Sequence, residues 1–165
     1  MNGTNELKYK IKLDNGNIIE VLEENIEKAN PNKFDRIEDL SNLRFINETS
    51  IIHTIRQRYG GSLIHTYAGT NLIIVKPINP LSIYNDKVVS MFRGCKQEDM
   101  PPHIYSYTQS IYRNMLSTRI DHSIILTGHS GSGKTSNTKH ILDYLSKTNS
   151  NNKELINGND LNKTN

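Results

Sequence analysis

The residues whose types and spacing could do chemistry are Gly128-His129-Ser130-Gly131-Ser132-Gly133-Lys134-Thr135, which fit G-x-x-x-x-G-K-[ST] at every fixed position. Glycines let the backbone curl so that consecutive N–H groups point inward, and such a ring of donors suits phosphate oxygens. Lys134 is expected to reach the β- and γ-phosphates of a nucleoside triphosphate, with the Thr135 hydroxyl taking one position on Mg²⁺. His129 lies inside the loop, but the fixed positions are the glycines, Lys134 and Thr135, so its side chain is expected to point outward. Binding is not hydrolysis, which also needs a Walker-B acid, a group that positions water and a sensor of the γ-phosphate. No following strand carries an aspartate after Leu145, and Asp86, Asp99 and Asp121 lack a strand ending in the right place. The residue types alone therefore assemble a phosphate site and no more.

The loop needs a strand before it and a helix after it. Ile124-Ile125-Leu126-Thr127 reads as a short buried strand. The segment after the loop reads as a helix, with Ile141, Leu142 and Leu145 on one face and Lys139, His140, Asp143 and Lys147 mostly off it. Upstream, Leu7–Leu13 alternates apolar and lysine positions, Asp14-Asn15-Gly16-Asn17 is a turn signal, and Ile18–Leu22 is the return strand of a hairpin that must pack on something. Glu23–Glu38 reads as a charged connector. Asn47 is an N-cap for a helix through about Arg58, with an apolar stripe of Ile51, Ile52 and Ile55 and a stop at Gly60-Gly61. Leu63–Tyr67 and Asn71–Lys76 read as two strands joined at Ala68-Gly69-Thr70, the second apolar throughout and so expected to be central. A short helix over Asp86–Arg93 ends at Gly94, and a longer one over His103–Thr118 carries Ile104, Tyr107, Ile111 and Met115 on its apolar face. The last stretch, polar and rich in asparagine, is expected to be disordered over 148–165.

Composition narrows the class of protein. The chain has 165 residues, room for one domain of ordinary size, but only 35% are hydrophobic and mean hydropathy is −0.61, so the core is lean. One cysteine, Cys95, permits no internal disulfide and points to a reducing compartment. A net charge of +3 without a Lys/Arg block argues against a nucleic-acid partner, and no apolar run approaches membrane-spanning length. The six histidines show no metal-ligand spacing. Tyr105, Tyr107 and Tyr112 beside Arg113 are read as helix packing with hydroxyls reaching outward rather than as a base-stacking platform.

From about Leu13 to Leu145, about four-fifths of the chain, the sequence resembles the N-terminal part of a myosin motor head. IEKANPNKFDRIEDLSNL (26–43) resembles the stretch joining the small SH3-like barrel to the motor core. FINETSIIHTIRQRYGGSLIHTYAG (45–69) resembles the first core helix and strand. PPHIYSYTQSIYRNML (101–116) is similar to the family's PPHIFAISDxAYRxML helix, and SIILTGHSGSGKTSNTKHILDYL (123–145) to its P-loop block, usually written GESGAGKTEN. RQRYGGSLIHTYAG, MFRGCKQEDMPPHIY and SGSGKTS look most similar to the unconventional class XVIII.

The resemblance implies an α/β fold: a P-loop NTPase-type myosin-head fragment (26–147), preceded by a partial SH3-like β-hairpin (1–25) and followed by the disordered tail. It implies ATP and Mg²⁺ at Gly128–Thr135, a supporting contact from Asn137, and Tyr84 in the position of the tyrosine that lies near the adenine. Departures from the family pattern are His129 for a glutamate, Ser132 for an alanine and Ser136 for the glutamate after the threonine. The adenine-side NPxK is Lys76-Pro77-Ile78-Asn79, of which only the proline is kept. Switch I, switch II, the actin-binding cleft, the converter and the lever arm do not occur among the 165 residues, so a fragment, split gene or truncated paralogue is expected. Two functions follow from the resemblance: an ATP-binding segment of an actin-based motor, in the cytoplasm on the cytoskeleton, or a non-catalytic module that binds actin or a second myosin chain with little or no ATPase activity. A small nucleotide kinase is disfavoured, because such enzymes carry the loop near the N-terminus and an arginine-rich lid after it.

Overall fold

The computed structural model describes residues 7–160, with side chains to residue 149. Eight principal elements follow in the order β1 (Lys8–Lys12), β2 (Ile18–Leu22), α1 (Glu48–Gly60), β3 (His65–Ala68), β4 (Asn71–Ile74), α2 (Asp86–Phe92), α3 (Ile104–Thr118) and α4 (Lys134–Asp160). Among the described residues the strands form two separate two-stranded antiparallel sheets, β1-β2 and β3-β4.

β1 and β2 pair from Lys8 opposite Leu22 to Lys12 opposite Ile18. Gly16 turns the chain at φ 86°, and Leu13 donates its N–H to the Asn17 carbonyl. The expected packing of this hairpin is not seen, because Tyr9, Leu13, Ile18 and Ile19 are all exposed. A connector then runs to α1 and is pinned at two places. The Asn30 side chain both donates to and accepts from the Phe45 backbone, at 2.8 and 2.9 Å. Further on, Asp39 forms a parallel bridge with Tyr67 of β3, and its carboxylate accepts the N–H groups of Ser41 and Gly69.

Asn47 caps α1 as expected, its Oδ1 accepting from the Ser50 N–H at 2.8 Å. The buried stripe of α1 is not the isoleucines. Ser50, Thr54 and Arg58, spaced four apart and so on one face, are the buried residues, whereas Ile52 is 57% exposed. The small hydroxyl side chains let the helix lie close to its neighbours, and Arg58 spans the gap to β3 and the connector. Its Nε donates to Thr66 Oγ1 at 2.9 Å. One terminal nitrogen donates to the Arg36 and Ile37 carbonyls and the other to the His65 carbonyl at 2.9 Å.

β3 and β4 pair from His65 opposite Ile74 to Ala68 opposite Asn71, around the two-residue turn Gly69-Thr70. Of the two, β3 is the deeper. His65, Thr66 and Tyr67 are buried, while β4, expected to be central, is half-exposed along its length.

The core is helical. Val89 and Phe92 of α2, Ile104 and Tyr105 of α3, and Ile141 and Tyr144 of α4 form one cluster. The Tyr105 and Tyr144 rings stack with centroids 4.8 Å apart. Both hydroxyls are satisfied, Tyr105 on the Tyr84 carbonyl and Tyr144 on Gln109 Oε1 at 2.6 Å. Tyr107 and Tyr112 likewise donate to the Thr70 carbonyl and Asn149. On α4 the buried residues are Ile141, Tyr144 and Thr148, and Leu142, expected on the apolar face, is 61% exposed.

Two expectations are corrected here. Ile124–Thr127 is not a strand. Among the described residues it pairs with no strand, and Ile125 is 82% exposed while Ile124 and Leu126 rest half-buried on the core. A strand exists only where a neighbouring strand completes its hydrogen-bond ladder. The helix after the loop does not end near Leu145: α4 runs from Lys134 to Asp160, across part of the stretch expected to be disordered. Residues 161–165, the rest of that expected tail, lie outside the described residues, as do 1–6 of the expected SH3-like segment.

Candidate functional site

The loop keeps its shape without a strand beneath it. Gly128, Gly131 and Gly133 have φ values of 145°, 77° and 100°, a region that side chains with a Cβ rarely adopt. At Gly128 a Cβ would also meet Ser132 Oγ at 2.7 Å, so that hydroxyl would have to rotate away. The Ser132 N–H donates to the His129 carbonyl at 3.2 Å, closing a tight turn. α4 starts at once: Asn137 N–H donates to the Gly133 carbonyl, and the Thr138 hydroxyl bonds the Lys134 carbonyl. Lys134 folds back over the loop, its Nζ donating to the Gly128 carbonyl at 2.7 Å and the His129 carbonyl at 2.9 Å. The loop is thus closed by its own lysine, at a helix N-terminus whose free N–H groups favour an anion.

The expected site residues divide between two hollows. Ser130, Gly131, Gly133, Lys134 and Thr135 line an open recess of about 340 Å³, together with Lys76 and Ser136. Gly128, His129, Ser132, Lys134 and Asn137 line the end of an apolar groove of about 490 Å³, which runs between β4 and residues 124–127. Lys134 borders both. His129 is exposed, in keeping with an outward side chain. Tyr84 lines neither hollow. It packs face to face on His140 of α4, ring centroids 3.7 Å apart and planes 9° from parallel, and its hydroxyl lies 3.4 Å from His65 Nε2.

Around Tyr84 three imidazoles gather. His65 and His103 lie 4.6 Å apart, centroid to centroid, and Phe92 stacks on His103. Burial pulls the His65 pKa down to about 3, with the nearby His103, His140 and Arg58 acting in the same direction. Burial also takes His103 down to about 4, although its contact with the Ile83 carbonyl opposes the fall. Burial lowers His140 as well, against the attraction of Asp143, and lifts the Tyr84 phenol to about 12. These rings are a neutral packing cluster, and they hold α4 against the chain before α2.

Lys76 is the residue that sequence reasoning passed over. It counted only as part of a departed NPxK pattern, yet its Nζ crosses to the Gly131 carbonyl at 3.0 Å. Its one sequence signal was a lysine next to a proline at the exit of an apolar strand, too general to single out.

A mixed helix-and-sheet chain, with a glycine loop opening its longest helix, is what fold and site define. Comparison with known proteins makes the assignment narrower. The family described as "Myosin head (motor domain)" matches residues 37–164, and the chain belongs to that family, as the N-terminal part of its motor domain. Over 141 residues it is 51% identical to unconventional myosin-XVIIIa of Mus musculus, covering 85% of this chain and 7% of that protein. Over 132 residues it is 43% identical to the non-muscle myosin heavy chain of Drosophila melanogaster, covering 80% and 6%. The chain therefore spans less than a tenth of the length of either relative.

Proposed function

We propose that the chain is an ATP-binding segment of an actin-based myosin motor. The observation that carries this reading is the glycine loop itself: three glycines at positive φ, closed by Lys134 at the start of a helix. The loop's N–H groups and Lys134 would hold the phosphates, and Thr135, on the rim of the recess, would offer its hydroxyl to Mg²⁺. Asn137 would brace the loop from the groove side. The groups that sense a γ-phosphate and split it would come from elsewhere in the motor, as would the actin-binding surface. The apolar groove beside residues 124–127, with Ile125 exposed, suits added strands from the same source. Among the described residues no helix is long and apolar enough to cross a membrane, and a cytoskeletal place in the cytoplasm fits the family.

The test is Lys134→Ala in the full chain, with Mg·ATP binding read by calorimetry. Loss of at least a hundredfold in affinity is expected. Binding by the wild type that survives the substitution unchanged would refute the reading. Co-sedimentation with actin that ignores both ATP and the substitution would instead favour a nucleotide-independent actin module.

A further inference from the structure

The recess beside the glycine loop is lined by two lysines from distant parts of the chain. Lys134 comes from the first residue of α4, and Lys76 from the chain just after β4. No aspartate or glutamate lines the recess; its other residues are serines, glycines and Thr135. Each ammonium rests on backbone carbonyls of the loop, Lys134 on Gly128 and His129, Lys76 on Gly131. Both lysines thus border one hollow that has no carboxylate in its lining. A polyanion bound there would gain from both charges at once. The Lys76 contact is also exchangeable. The side chain is exposed, its one acceptor is a surface carbonyl, and a rotation of its flexible stem would carry the ammonium from that carbonyl to a phosphate oxygen.

We propose that Lys76 is a second phosphate-binding cation of the glycine-loop site, acting with Lys134 on the same polyphosphate. The proposal rests on the nucleotide-binding reading above and deepens it. Affinity comes from phosphate charge supplied by two elements, so the site takes inorganic tripolyphosphate as well as ATP and discriminates by phosphate number more than by base. Lys76 also joins the segment after β4 to the loop, so an occupied site would tie the two elements together more firmly than the Gly131 contact alone.

The experiment measures binding of Mg·ATP, ADP, AMP and inorganic tripolyphosphate to the full chain and to Lys76→Met, Lys76→Gln and Lys134→Ala, with circular dichroism as the check on folding. Methionine removes both the charge and the donor. Glutamine keeps a donor for the Gly131 carbonyl but carries no charge. Both Lys76 variants are expected to bind ATP and tripolyphosphate about tenfold more weakly, with little change for AMP, while remaining folded. If Lys76→Gln binds like the wild type and Lys76→Met does not, Lys76 is a tether and the proposal is overturned. If both bind like the wild type while Lys134→Ala loses ATP, the proposal is overturned and the glycine-loop reading stands. A wild-type chain that binds neither ATP nor tripolyphosphate removes both.

Discussion

Replacing Arg58 with methionine is expected to destabilise the chain more than any isoleucine-to-alanine change on the same helix. Arg58 is 2% exposed and spends four donor contacts, on Thr66 Oγ1 and on the carbonyls of Arg36, Ile37 and His65. Methionine matches the stem in bulk but donates nothing. The Thr66 hydroxyl can rotate, and the 3.3 Å contact to Ile37 is weak, which leaves two good carbonyl contacts to lose. An orphaned buried acceptor costs about 1–3 kcal/mol. Removing a buried charge returns part of this, because the guanidinium no longer has to be desolvated. The balance is a loss of about 3 kcal/mol, with the connector at 36–37 released from β3. Lysine is expected to rescue only part of it, since one ammonium cannot span the acceptors that a planar fork reaches. Urea unfolding followed by far-UV circular dichroism measures the change, and the chain has no tryptophan to complicate a parallel tyrosine signal. A loss below about 1 kcal/mol would show that water or a shifted connector satisfies those carbonyls, and that Arg58 does not join α1, β3 and the connector.

The buried imidazoles make stability pH-dependent. An unfolded histidine titrates near 6.5, whereas His65 and His103 do so at about 3 and about 4 in the fold, so their neutral forms support the fold fully above pH 6.5 and that support drains away as pH falls toward those values. Between pH 7 and pH 5 each contributes a loss of up to about 2 kcal/mol, read as a falling melting temperature; a melting temperature unchanged over that range would contradict the burial of the cluster. Tyr144→Phe leaves Gln109 Oε1 without its 2.6 Å donor and is expected to cost about 1–2 kcal/mol in the same urea assay, partly restored by adding Gln109→Leu; equal stability of Tyr144→Phe and wild type would mean that the bond contributes nothing net.

How legible each element was depended on how far its cause lay along the chain. Caps and turns are decided within a few residues, and Asn47 and Gly16 each do what their type and place suggest. The glycine loop belongs to this group. Helix faces were read less well, because periodicity finds apolar residues and not buried ones. On α1 the buried face is Ser50, Thr54 and Arg58, and nothing local says that the acceptors for Arg58 wait at 36, 37 and 65. On α4 the aromatic ring of Tyr144 and the hydroxyl of Thr148 go inward while Leu142 faces out. The same limit hid the stack of His140 on Tyr84, where a polar residue read as lying off the apolar face closes over a half-buried ring 56 positions earlier in the chain.

The one element misread outright, the strand over Ile124–Thr127, explains what the site is built to withstand. Its apolar run says that it is destined for burial, and Ile124 and Leu126 already lean on the core cluster. What it lacks is a ladder partner, a property of pairing that no stretch of four residues can supply. The loop that follows should then be free to move, since its entry is unanchored. Two side chains hold it instead: Lys134 on Gly128 and His129, and Lys76 on Gly131. The shape of the loop thus comes from contacts made by the loop, α4 and the segment after β4, and does not wait on the completion of the sheet. By the same reasoning, pairing a strand with 124–127 would order the entry to the loop and bury Ile125 without rebuilding the loop itself.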